Sequence, residues 1–213
     1  MITLYYSPGT ASLAPHFLLE ELGLPYQLVL VDTSKEENQK AEYLVLNPKG
    51  KIPFLIDGDL QLSESAAICM YLCERYGSAS WSPALASPER AHLYQWMLYL
   101  SNTLQAELMV YFYPHRLADN ELAAEKIKQH TVARLDEMLT YIDTHFATTG
   151  QDYLLGNEIS VADLFLFMLC RWTRYLEQSA KTYPHLAPYL KRMCQRDGIM
   201  RSFIQEGIEA PYY

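Results

Sequence analysis

Hydroxyl side chains crowd the stretch YYSPGTASLAPH, residues 5–16, where a short apolar run gives way to a helical pattern. Thr10 and Ser12 flank Ala11 at that passage. The N–H groups and positive dipole end of a helix form a ready site for an anion, and a thiolate is one such anion. A second constellation is NEISVADLFLF, residues 157–167, in which Ser160 and Asp163 have the S-x-x-D spacing that lets each side chain cap the other's backbone N–H. The apolar run that follows makes it a structural helix start rather than a catalytic carboxylate, and replacing either residue by Ala should cost on the order of 1 kcal/mol. The third is NPKGKIPFLIDG, residues 47–58, with Pro53 at the mouth of a short strand, where proline cannot donate a ladder hydrogen bond. A cis Ile52–Pro53 bond there would leave the Ile52 N–H and C=O free to pair with an extended peptide.

The elements that must hold these residues follow from periodicity. ITLYY and YQLVLV read as strands, and the segment between them carries apolar residues at helical spacing up to Gly23 and Pro25. KEENQKAEYLVLN is weakly helical, IPFLI and LQL are short strands around the Asp57-Gly58 turn, and SESAAICMYLCERYG is a helix ending at Gly77. The order is βαβ followed by αββα. SASWSPALASPER then suits a linker, and beyond it helical patterns run over 89–117, 122–146, 161–177 and 186–196. The expected organisation is an α/β domain over 1–78, a linker over 79–87 and an all-α domain over 88–213.

The 213 residues carry 17 basic and 25 acidic side chains, a formal charge of −8, with no basic cluster, so neither nucleic acid nor an anionic membrane surface is the expected partner. The beginning MITLYYS has no basic region or long apolar segment, from which a cytoplasmic location is expected. Cys69, Cys73, Cys170 and Cys194 lack the spacing of a metal or redox motif, so no metal is expected and the thiols read as buried core residues.

Taken in order, YYSPGTASLAPH, NPKGKIP, LSESAAI and LLGNEISVADLFLF resemble the cytosolic glutathione transferases across essentially the whole chain, most closely the bacterial beta class. The resemblance implies a thioredoxin-like N-terminal domain, a helical C-terminal domain, a symmetric homodimer, and glutathione as co-substrate. It implies further that the Ile52 backbone beside a cis Pro53 pairs with the cysteinyl part of glutathione. Glu64 and Ser65 would hold its γ-glutamyl end and Lys35 its glycyl carboxylate. Capping for Ser65 and mere solubility for Lys35 are the competing uses of these residues.

Two residues depart from the beta-class pattern. Its cysteine falls at Ala11, which excludes mixed-disulfide chemistry, and its histidine in the first long helix of the second domain falls at Gln105. A free thiol titrates near ~8.5, and lowering that by ~2 units takes about 2.7 kcal/mol of preferential anion stabilisation. One hydrogen bond to a charged group plus a helix terminus covers it. The donors at hand are Ser12, Thr10 and the Tyr6 phenol; Ser12 is the first choice, because N-cap geometry would point its donors outward. Tyr5 and Tyr6 face opposite sides of their strand, and alignment selects Tyr6. His16, at i+4 from Ser12, is either a base or a packing residue.

The second substrate is expected to be a small apolar electrophile, met by Tyr111, Phe112 and Trp172 among the aromatics of MVYFYPHR and CRWTRY; the tail EAPYY either folds over that pocket or frays. The leading reading is conjugation of glutathione to that electrophile. Glutathione-dependent peroxide or disulfide reduction, which Thr10 keeps open, and a non-catalytic binding protein that retains the fold are the alternatives.

Overall fold

The computed structural model describes residues 1–213 and divides into two compact units, residues 1–82 with 194–212, and residues 83–193 with 213. In the first unit, β1 (Ile2–Tyr6), α1 (Leu13–Glu21) and β2 (Tyr26–Leu30) form the βαβ opening. They are followed by α2 (Ala41–Leu46), β3 (Phe54–Asp57), β4 (Leu60–Ser63) and α3 (Ser65–Tyr76). The sheet order is β2-β1-β3-β4, with β1 parallel to β2 and antiparallel to β3, and β3 antiparallel to β4. Leu4 sits at the centre of this register, opposite Leu28 on one side and Leu55 on the other. Period-two alternation buries Ile2 and Leu4, and α1 covers the core with Leu13, Ala14, Phe17 and Leu18.

The expected boundary that left residues 88–213 to the helical domain does not hold at its C-terminal end. A further helix, α9 (Asp197–Gln205), and its flanks belong to the first unit. The reason is a matching apolar face: Ile199 and Phe203 are fully buried, and the Phe203 ring meets Phe17 of α1 edge-on at 5.3 Å. The tail is tied down rather than frayed, since Tyr212 stacks on Phe203 with ring centres 4.7 Å apart.

The second unit contains α4 (Pro88–Tyr99), α5 (Gln105–Phe112), α6 (Glu121–Thr149), α7 (Val161–Trp172) and α8 (Leu186–Met193). The single helix expected over 89–117 is broken by a π turn at Leu100–Leu104 and ends in a 3-10 turn at Pro114–Leu117. All twelve residues of α7 are buried, and its start is the expected reciprocal cap. The Ser160 N–H and hydroxyl donate to Asp163 Oδ2 at 2.8 and 2.7 Å, and Leu154 N–H donates to Oδ1 at 2.8 Å. Burial pushes the Asp163 carboxyl up to about 6 against the pull of these donors. Cys69, Cys73 and Cys170 are buried, which raises the Cys69 and Cys170 thiols above their ordinary range. No helix is long and apolar enough to cross a membrane.

Candidate active site

The hydroxyl-rich turn is folded around one carbonyl. Ser7 O accepts from Thr10 N–H at 3.2 Å, from the Thr10 hydroxyl at 2.8 Å and from the Ser12 hydroxyl at 3.1 Å. Ser7 N–H donates to Ser12 Oγ at 3.3 Å, and the Thr10 and Ser12 hydroxyl oxygens lie 3.0 Å apart. Ser12 is therefore enclosed, with no accessible surface, and its side chain makes no cap bond to α1. The expectation that N-cap geometry turns its hydroxyl outward fails, because Ser12 has helical dihedrals, φ −71° and ψ −16°, and its Oγ is spent on Ser7. Thr10 and Ala11 remain half-buried at the open start of α1.

Two further segments converge on this turn. The Ser65 hydroxyl, at the first position of α3, donates to Ala11 O at 2.6 Å, tying the two helix starts together. Glu64 just before it adopts φ 71° and ψ 111°, a region that costs a non-glycine residue about 1–3 kcal/mol and that clusters at functional sites. Its carboxylate meets Lys49 Nζ at 2.8 Å on the exposed side.

Lys49 begins the loop that leads to Pro53, and that loop is braced from behind. Lys51 O accepts from the Tyr43 hydroxyl at 2.6 Å and from Asn47 Nδ2 at 2.7 Å. Gly50 O accepts from Asn38 Nδ2 at 2.8 Å and Gln39 Nε2 at 3.3 Å. Gly50 has φ +59°, and a Cβ there would fall 2.7 Å from Gln39 Nε2 and 3.0 Å from Asn38 O, so only glycine fits the brace. The Ile52–Pro53 bond is cis, as expected, and the Ile52 N–H and C=O take no part in these bonds.

Tyr6 and His16 are set by α9. Glu206 Oε2 accepts from Gly9 N–H at 2.8 Å, and its Oε1 lies 2.7 Å from His16 Nδ1. His16 Nε2 meets Tyr26 Oη at 3.1 Å and Gln205 Oε1 at 3.0 Å. Fully buried and engaged on both nitrogens, His16 takes the packing role of its two alternatives. The Tyr6 ring lies 6.3 Å from it, and burial together with the Glu206 carboxylate holds the Tyr6 phenol above its ordinary value. The Tyr6 phenol therefore keeps its proton at neutral pH. Lys35 is exposed and pairs with Asp32 at 2.8 Å; that cation, with the Ser34 hydroxyl, holds the Asp32 carboxyl well below the usual range.

In the second unit, Gln105 is half-buried directly after the π turn. Tyr111, Phe112 and Trp172 do come together: the Phe112 ring stands 5.4 Å from Tyr111 and 6.1 Å from Trp172.

Family models for the glutathione S-transferase N-terminal domain and C-terminal domain match residues 1–74 and 103–204. The crystal structure titled a ternary complex of BphK, a bacterial GST, is 32% identical, with 97% of this chain and 100% of that one covered and a TM-score of 0.84. The chain belongs to the glutathione S-transferase family. Among curated relatives, glutathione S-transferase GstA of Escherichia coli O157:H7 is 28% identical over 97% of this chain and 99% of its own. A glutathione transferase homolog from Sulfitobacter, crystallised with bound glutathione, is 28% identical with a TM-score of 0.87 over 98% of this chain and 99% of that one.

Sequence reasoning did not single out Tyr43, Asn47 or Glu206. Asn47 sits in the NPKG turn and carries a local signal, whereas Glu206 is 190 residues from His16 and carries none.

Proposed function

We propose that this chain binds glutathione with its cysteinyl backbone paired to Ile52 beside cis Pro53, its γ-glutamyl end at Glu64 and Ser65, and its glycyl carboxylate near Lys35. The thiol then lies at the start of α1, where the Ala11 N–H and the helix dipole stabilise its thiolate, and the half-buried Thr10 hydroxyl turns from Ser7 O to donate to it when glutathione is bound. Tyr6 is the further neutral donor, and Ser12 acts from inside by fixing the turn. Ser65 contributes its helix-start backbone, because its hydroxyl proton is directed at Ala11 O.

The thiolate attacks an electrophilic carbon of a small, largely apolar substrate. A carbon–sulfur bond forms, the leaving group departs as an anion, and the thiol proton is released to solvent. Gln105 replaces the class histidine as a neutral hydrogen-bonding group. The protein works as a homodimer, as the family typically does, in detoxification of such electrophiles in the cytoplasm.

The observation that carries this reading is the Ser65 hydroxyl on Ala11 O, which brings the two anion-attracting helix starts to one place. Conjugation of glutathione to 1-chloro-2,4-dinitrobenzene, followed by chloride release, tests it. Turnover that falls about tenfold or more in Thr10→Val supports the reading, in line with loss of one charge-assisted hydrogen bond. Absence of turnover with the electrophile, but glutathione-dependent reduction of a peroxide, would move the assignment to the reductase alternative that Thr10 keeps open.

A further inference from the structure

The aromatic wall of the second unit carries cations that have no acidic partner. Tyr111 and Phe112 close α5, and the adjacent rings of Phe112 and Tyr113 remain 39% and 38% exposed. Arg116, in the 3-10 turn that follows, places its guanidinium carbon 4.0 Å from the centre of the Tyr113 ring, and Lys128 of α6 places Nζ 5.0 Å from that of Tyr111. Neither is in a salt bridge, although Arg134, two turns further along α6, is paired with Glu107. His115 adds a third nitrogen-bearing side chain, its ring 6.1 Å from that of Tyr113. In a chain of formal charge −8, two cations resting on aromatic faces instead of on carboxylates leave their remaining N–H donors for an outside acceptor.

We infer that this patch selects planar aromatic compounds bearing a carboxylate, with the ring against Phe112 and Tyr113 and the carboxylate on Arg116 and Lys128. Arg116 supplies the planar fork that matches two carboxylate oxygens, and Lys128 adds a point charge. The inference names the substrate class within the transferase reading and rests on that reading only for turnover, not for binding.

Calorimetric titration of the full-length protein with 4-nitrobenzoate and with nitrobenzene separates the two. The carboxylate is expected to bind ~10-fold tighter, the size of one charge-assisted contact. Arg116→Ala is expected to bring the ratio close to one, and Arg116→Lys to keep part of it. Equal affinities for the two probes, or a preference that survives Arg116→Ala, overturns the inference. Preferential binding of 4-nitrobenzoate without any conjugation of 4-chloro-3,5-dinitrobenzoate would leave this inference standing and remove the transferase reading.

Discussion

Of the helices that begin with a serine in the N-cap position, α7 and α1 use it in opposite ways. At α7, Ser160 is extended, φ −122° and ψ 171°, and joins Asp163 in a closed reciprocal cap. At α1, Ser12 is already helical and turns its hydroxyl back onto Ser7, leaving the helix start without a side-chain cap. The first arrangement satisfies its donors internally and stabilises; the second keeps donors open for an anion. A serine before an apolar periodic run does not by itself tell these apart. The difference lies at the third position after the serine, where Asp163 follows Ser160 with both an N–H and a carboxylate and Pro15 follows Ser12 with neither.

Removing the closed cap should produce the largest effect. Asp163→Ala is expected to destabilise by about 3 kcal/mol or more, because Asp163 is fully buried and serves three donors. That exceeds the ~1 kcal/mol anticipated from capping alone, since a surface cap would lose one exposed hydrogen bond and this one orphans buried groups. Urea unfolding gives the value, and an unchanged midpoint would break the contrast.

The same carboxyl carries a pH signature. Its folded value of about 6 lies above the ordinary carboxylate value, so the folded state holds the proton more tightly. Stability from this group is then full below pH ~4 and lost as pH rises through ~6. Wild type minus Asp163→Asn should show that slope in unfolding free energy between those limits; a parallel pair of curves would contradict it.

At the open start the readout shifts from stability to chemistry. Thr10→Val is expected to lower kcat/KM for conjugation by about 2 kcal/mol of transition-state stabilisation, or ~30-fold, with little change in unfolding midpoint. Ser12→Ala should do the reverse, costing about 1 kcal/mol of stability through the turn and shifting the thiol little. The smallest effect is expected at the brace behind Ile52. Tyr43→Phe leaves Lys51 O with Asn47 alone, so glutathione KM should rise about threefold with kcat kept, and adding Asn47→Asp should cost more than the sum of the singles.

The parts of this account that were legible in the sequence are those with local cause. The βαβ opening and the Ser160–Asp163 cap each leave a pattern within a dozen residues, whereas the cis Ile52–Pro53 bond is expected from the family resemblance and not from its local residues. The π turn at Leu100–Leu104 interrupts an unbroken apolar periodicity with no glycine or proline to mark it. The α9 helix is short, and its attachment to α1 through Phe203, Glu206 and Arg201 depends on residues more than 180 positions away. For Ser12 the sequence marks the turn but not the orientation, because only the three-dimensional position of Ser7 decides which way its hydroxyl turns.

The role proposed for the open start of α1 is to hold glutathione as a thiolate. Ultraviolet absorbance of the bound thiolate against pH, in the unaltered protein and in Thr10→Val, measures it directly. The account predicts a thiol pKa ~2 units below the free value near ~8.5, and a return toward that value in Thr10→Val. Saturable binding with an unshifted pKa in both proteins would contradict it.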